Sequence, residues 1–319
     1  MTGHINLQTI AEAQNRIRKY VTASPMIPLH QSKGHQIFLK LENLQPVGSF
    51  KLRGACNALL SKKPEVIRDG VFTLSTGNFG HALAWIANQL NIPCHVIVPD
   101  HVPEAKMAGV RYNGGHVVRV SFEKWWRYVQ NEETPELEGY YVHPDGEDEI
   151  ISGNGTLGLE IMAQLPDVDA IFVPYGSGGL CAGVSIAVKA MNASVEVCAC
   201  EISTAAPFEA ARRNGKPTSI DFQASFVDGI GCPSVLDKIW EIVNELIDYS
   251  VTVNLEEARS ATKIMAESNH VIVEGAGAVS VAAALKEDRG RKIVCVVSGG
   301  NIDHGVYADI LSSNRELEH

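Results

Sequence analysis

The 319-residue sequence has no apolar stretch approaching the roughly 20 residues that span a bilayer, and its start lacks the basic-then-apolar pattern of a secretion signal. Neither membrane insertion nor export is expected. Basic residues are also scarce, with 27 Lys and Arg against 37 Asp and Glu, a formal net charge of −10 and a pI near 5.6. Nucleic-acid affinity rests on clustered cations that this chain does not show, so small molecules and copies of itself are the expected partners. The seven cysteines, at 56, 94, 181, 198, 200, 232 and 295, are odd in number, mostly set in apolar runs, and form no disulfide framework. A reducing cytosol is the expected compartment. Cys198 and Cys200 alternate with Val197 and Ala199 as on one strand face, but no second Cys or His pair completes a zinc site, and buried packing explains them. The terminal Leu317-Glu318-His319 reads as a tag remnant.

With 45% hydrophobic and 20% charged residues, the chain can bury one large core or two smaller ones. A capping-type Gln8-Thr9 pair and apolar groups at Ile10, Ala13 and Ile17 predict a surface helix over 7 to 20, ended by Pro25 and Pro28. Ile37 to Leu41 reads as a strand, and Glu42 to Gly48 as the loop delivering Ser49-Phe50-Lys51 to the next helix. From residue 71, short apolar runs at 71–74, 94–98, 116–120, 170–174, 195–200 and 293–297 alternate with helical stretches. Such alternation means α/β architecture, with parallel sheets covered by helices on both faces. The acidic, turn-rich segments at 132–139 and 143–149 mark a crossing between lobes. A small lobe of residues 69–143 is expected, inserted in a large lobe of 1–68 and 144–316. Asp145 to Glu149 could be a cation loop, but without an EF-hand pattern it reads as a solvated connector.

Three apolar runs open into polar, Gly-rich loops: Ser75-Thr76-Gly77-Asn78-Phe79-Gly80, Tyr175-Gly176-Ser177-Gly178-Gly179-Leu180, and Ser298-Gly299-Gly300-Asn301. In open α/β sheets, ligands sit beyond the carboxyl ends of parallel strands, so loops this far apart in sequence can converge on one small molecule. Gly176, Gly178, Gly179 and Gly183 fall within eight residues, more than a plain strand-to-helix turn needs. Backbone N–H groups crowding an anion at a helix start account for the excess, and a phosphate monoester fits. A dinucleotide site is the competing reading. No complete G-x-G-x-x-G or Walker sequence supports it. Lys51, alone, would be a solvated charge like most lysines. Beside a bound phosphate and a polar ring, it becomes the reactive amine for pyridoxal phosphate.

Six segments in order carry a resemblance over nearly the whole chain: Leu41 to Ala55, Ser75 to Asn78, Gly155-Thr156-Leu157-Gly158-Leu159-Glu160, the Gly176 loop, Glu274 to Val279, and Ser298 to Asn301. The sequence resembles the fold-type II pyridoxal-phosphate enzymes, tryptophan synthase β-like in fold, and most closely their serine/threonine dehydratase and serine racemase branch. The resemblance implies two lobes, each with a mainly parallel sheet flanked by helices. It implies that pyridoxal 5'-phosphate is bound covalently by Lys51, which then takes the substrate Cα proton. Phe50 is implied beside the pyridine ring, Asn78 at the ring hydroxyl, Gly176, Ser177, Gly178, Gly179 and Leu180 around the phosphate, Glu274 at the cofactor edge, and Ser298 with Gly299 at the pyridine nitrogen. Ser75, Thr76, Gly77, Asn78 and Phe79 are implied to receive the substrate carboxylate.

A neutral hydroxyl at Ser298 makes a weaker electron sink than a carboxylate would, which suits β-elimination. The implied activity is deamination of L-serine or L-threonine to a 2-oxo acid and ammonia, with racemisation or β-replacement as the alternative and a non-catalytic pyridoxal-phosphate binder as the remote one. The chain departs from the family pattern at Phe79, where dehydratases of this branch usually carry His. An apolar ring there favours a larger or more apolar β-substituent. Thr76 stands where similar racemases place a proton-donating serine, which keeps racemisation open. Of the family's divalent-cation site, Glu201 matches the first ligand and Ala205 can offer a carbonyl, but Pro207 replaces the aspartate, so weak or no metal binding is expected. A homodimer is the family's usual arrangement.

Overall fold

The protein is described here from a computed structural model covering residues 5–32, 34, 36–287 and 290–313. The proposed tag residues lie outside these. In chain order the strands are β1 (Met26–Pro28), β2 (Gln36–Leu41), β3 (Val71–Leu74), β4 (Cys94–Pro99), β5 (His116–Val120), β6 (Tyr140–Tyr141), β7 (Ala170–Pro174), β8 (Glu196–Ile202), β9 (Tyr249–Val253) and β10 (Lys292–Val297). They form two sheets. One has six strands in the order β1-β2-β10-β7-β8-β9, parallel throughout except for β1; the other has four parallel strands in the order β5-β4-β3-β6. All of β7 and nearly all of β10 are buried, as expected of parallel strands covered on both faces. Alternation along β8 sends Cys198 and Cys200 into the apolar cluster on one face and Val197 and Ala199 into the cluster on the other.

Two boundaries differ from the sequence expectation. The first helix spans Leu7–Ile17, and its cap is Asn6, whose side chain accepts from the N–H groups of Gln8 and Thr9 while Thr9 Oγ1 accepts from the Asn6 N–H. Asn is among the strongest N-cap residues, so the cap is Asn6 and not the Gln8-Thr9 pair, and the helix ends at Ile17, short of the expected 20. The strand expected at 195–200 runs to Ile202, because Glu201 and Ile202 still pair with β9.

The helix Lys51–Leu60 is buried from Leu52 to Leu59 and packs against the helices Asn78–Gln89 and Asp148–Gln164. Its first turn needs close approach: a Cβ on Gly153 would lie 2.5 Å from the carbonyl oxygen of Arg53. Arg53 itself is fully buried. Its guanidinium donates to both carboxylate oxygens of Glu42 at 2.7 and 2.8 Å, to both oxygens of Glu160 at 2.8 and 2.9 Å, and to Thr156 Oγ1 at 3.0 Å. Lys40, also buried, closes the set on Glu160 at 2.7 Å. Burial opposes charge on Glu42, yet the guanidinium and the Ser24 hydroxyl hold its carboxyl below the usual range. Arg53→Ala would strand two carboxylates away from water. It is expected to destabilise the fold by about 3–5 kcal/mol, measured as a loss of unfolding free energy in urea.

Candidate active site

Lys51 is the first residue of its helix, held by the loop that follows β10. Phe50 N–H donates to Ser298 O at 3.0 Å, Gly300 N–H to Gly48 O at 2.9 Å, and Asn301 Nδ2 to Val47 O at 2.9 Å. At Gly48 the chain takes a left-handed conformation, with φ of +71°, against the Asn301 side chain, where a Cβ would lie 2.6 Å from Oδ1. Only glycine meets both demands. The Lys51 ammonium lies 5.3 Å from the Phe50 ring centroid and 5.9 Å from that of Phe79. Phe79 is buried in the apolar cluster that also holds Leu52 and Val47, so its ring forms a wall beside the amine.

The loop after β3 joins the same site. Asn78 Nδ2 donates to both oxygens of Glu274, at 2.9 and 3.0 Å, and Asn78 Oδ1 accepts from Asn301 Nδ2 at 2.8 Å. Ser75 Oγ accepts from the Gly80 N–H at 3.0 Å, fixing the helix start. Thr76, Gly77 and Asn78 line a cleft of about 590 Å³, faced from the other side by Asp228, Glu274 and Asn301. Lys106 and Asp228 pair across it at 2.6 Å. Gly299 lies against Glu274, whose Oε1 is 2.5 Å from where a Gly299 Cβ would stand.

The third loop leads from β7 into the helix Gly179–Met191. Gly178 is its N-cap, with φ of +99°, and a Cβ there would lie 2.6 Å from Tyr175 Oη. Among the described residues, the N–H groups of Gly176 through Leu180 have no acceptor. Five free donors at the positive end of a 13-residue helix make a cradle of the right chemistry for a phosphate monoester. The observed donor set therefore fits pyridoxal phosphate, with Gly176, Ser177, Gly178, Gly179 and Leu180 able to seat its phosphate and Lys51 to supply the amine; Ser298 is buried at 3% exposure.

Sequence reasoning missed one member. Asp145, which the sequence places in a solvated connector, has Oδ1 at 2.6 Å from Lys51 Nζ. Its surrounding loop folds back over the phosphate seat because His143 Nδ1 accepts from the N–H groups of Asp145 and Gly146, and Lys238 holds the Gly146 carbonyl. A run of acids carries no sign of which carboxylate turns inward; the preceding His-Pro was the only local cue. Of the other acids in the run, Glu149 pairs with Lys62 and Asp148 with Lys238, while Glu147 accepts from the His143 N–H.

Glu201 is engaged elsewhere. Its two oxygens accept from the Phe208 and Glu209 N–H groups at 2.7 and 2.9 Å, capping the helix Pro207–Asn214, and burial pushes its carboxyl up to about 8. The Ala205 N–H bonds to Ile202 O, and no cluster of three or more metal-type ligands occurs among the described residues. No helix among them is long and apolar enough to cross a membrane.

Comparison with known proteins agrees with this chemistry. A family model described as pyridoxal-phosphate dependent enzyme matches residues 17–299. The chain is 36% identical over 316 residues to an L-threonine ammonia-lyase of Thermotoga maritima, covering 97% of this chain and 78% of that protein. It is 34% identical over 313 residues to a human serine racemase, covering 94% and 92%. The structure of maize serine racemase superposes with a TM-score of 0.89 at 33% identity, covering 96% of each chain.

Burial raises the Glu274 carboxyl to about 7, against the pull of the Asn78 amide. A carboxyl raised in the folded state alone costs stability as pH climbs from its unfolded value to its folded one. Glu274→Gln should therefore gain on the parent between pH 5 and pH 8, by about 1–3 kcal/mol from the span of that shift. Urea unfolding of both proteins at the two pH values measures the difference. An unchanged gap would contradict the assignment.

Proposed function

The chain belongs to the pyridoxal-phosphate-dependent enzyme family, and from that premise we propose that it is an ammonia-lyase that removes the β-hydroxyl and the amine of L-threonine, L-serine or a related hydroxy amino acid. The single observation carrying this reading is Lys51 at its helix start, paired with Asp145, whose carbonyl borders Gly179 of the unpaired-donor loop, and 5.9 Å from the Phe79 ring of the Asn78 loop. The bound cofactor supplies the electron sink for the charge left at Cα. Everything else is done by the protein.

Lys51 Nζ takes the Cα proton, with the Phe50 and Phe79 ring centroids 5.3 and 5.9 Å from it. The Gly176 to Leu180 N–H groups hold the phosphate. Asn78, fixed by Glu274 and Asn301, presents its amide at the cofactor edge, and Ser298 offers a neutral hydroxyl at the ring nitrogen, favouring loss of a β-substituent. The N–H groups and hydroxyls of Ser75 to Phe79 receive the substrate carboxylate. In this reading residues 69–143 form the small lobe, and the Lys106–Asp228 pair ties it to the large lobe when substrate is enclosed. The Phe79 wall favours substrates with apolar β-substituents. The same reading includes a cytoplasmic homodimer.

Racemisation is the second reading, supported by the similarity to serine racemases and by Thr76, which lines the cleft. Thr76→Ala is then expected to lower inversion of recovered substrate at least tenfold while sparing deamination, as read by chiral chromatography beside ammonia release. Loss of both in parallel would remove Thr76 from that role.

Purified protein given pyridoxal phosphate should show violet-edge absorption and release ammonia and 2-oxo acid from a panel of β-hydroxy amino acids. Lys51→Ala should abolish the band and lower deamination at least a thousandfold, the scale of losing a covalent or acid–base group. A colourless wild-type protein would refute the proposal.

A further inference from the structure

The inward carboxylate of Asp145 has no part in the roles assigned so far. It occupies Lys51 Nζ at 2.6 Å, the donor at the amine end of the cofactor site. Its own carbonyl oxygen would lie 3.3 Å from a Cβ on Gly179, so the segment bearing it borders the phosphate seat directly. Rigid supports surround it. His143 Nδ1 holds the Asp145 and Gly146 N–H groups, Glu147 Oε1 accepts from the His143 N–H at 3.0 Å, and Lys238 donates to the Gly146 carbonyl at 2.6 Å. These bonds hold the Asp145 main chain beside the seat. Burial alone would disfavour the charge, but the Lys51 ammonium and the Ser177 hydroxyl outweigh it and hold the Asp145 carboxyl below its ordinary value.

A phosphate monoester carries close to two negative charges at neutral pH, and imine formation needs the lysine amine without its proton. A fixed anion bordering the seat repels the phosphate, and its ion pair with Lys51 must break before the amine can react. We propose that Asp145, from a segment bordering the phosphate seat, competes with pyridoxal phosphate for Lys51, and so sets a low cofactor affinity that makes loading of this enzyme reversible. This inference rests on the proposed cofactor site. Asp145 gives cohesion to the protein and costs affinity for the cofactor, so neutralising it moves the two properties in opposite directions. A residue serving only to shape the loop would move them together.

The test is a titration of wild type, Asp145→Asn and Asp145→Ala with pyridoxal phosphate at fixed pH and ionic strength, followed by violet-edge absorbance and by retention of the band through dialysis. Thermal unfolding of the same proteins without added cofactor is measured in parallel. Both variants are expected to bind at least tenfold more tightly and to retain cofactor that wild type loses, while their melting temperatures fall. Wild type that loads normally beside variants binding equally or less tightly would overturn the competition and leave the enzyme assignment intact. Failure of all three to take up cofactor would overturn both. Should Asp145→Asn fold poorly, Asp145→Ala carries the same comparison.

Discussion

An amine can act as covalent anchor and base only if its backbone does not wander, and the buried Arg53 guanidinium is what fixes the backbone two residues beyond Lys51. It binds Glu42 from the preceding loop and Glu160 from the helix Asp148–Gln164, so three segments share one charge network. Burying such a set is expensive in solvation, and a core of hydrocarbon would be at least as stable. Geometry is the compensation. A fork of fixed donors dictates orientation as packed side chains do not, which places Lys51 at one position relative to the loops around it.

Those loops divide the remaining work. The β10 loop is stitched to the chain on the N-terminal side of Lys51, the β3 loop is tied to it through Asn78, Asn301 and Glu274, and the β7 loop leaves five N–H groups unpaired at a helix start. Unpaired donors in so enclosed a place represent binding capacity held in reserve for an anion. Glu274 and Asp145 are both carboxylates of this constellation, and they differ in kind. Burial raises the Glu274 carboxyl toward neutrality, whereas the Lys51 ammonium keeps Asp145 charged. One group adapts to its neighbours, and the other opposes a second anion.

Much of this architecture was readable from one sequence because its signals are local. Alternating apolar runs and helices showed the two parallel sheets, and glycines clustered after apolar strands pointed to the loops that meet around Lys51. What escaped depended on side-chain direction. Nothing in the run Asp145 to Glu149 distinguishes the one carboxylate that turns inward from those that pair with Lys62 and Lys238. The Asn6 cap was missed because a hydrophilic pair one turn later looked equally able to cap, and β8 ran long because pairing with β9 lies beyond any local pattern. Glu201 shows the same limit: the sequence offered it as a possible cation ligand, and the fold uses it to satisfy two orphan N–H groups of a helix.

The central claim is that one amine, at position 51, is the covalent partner of the cofactor. Incubation with pyridoxal phosphate, reduction with borohydride, proteolysis and mass spectrometry test it most directly. A single pyridoxyl adduct on the peptide containing Lys51 is the predicted result. An adduct confined to any other lysine, or none at all, would contradict it.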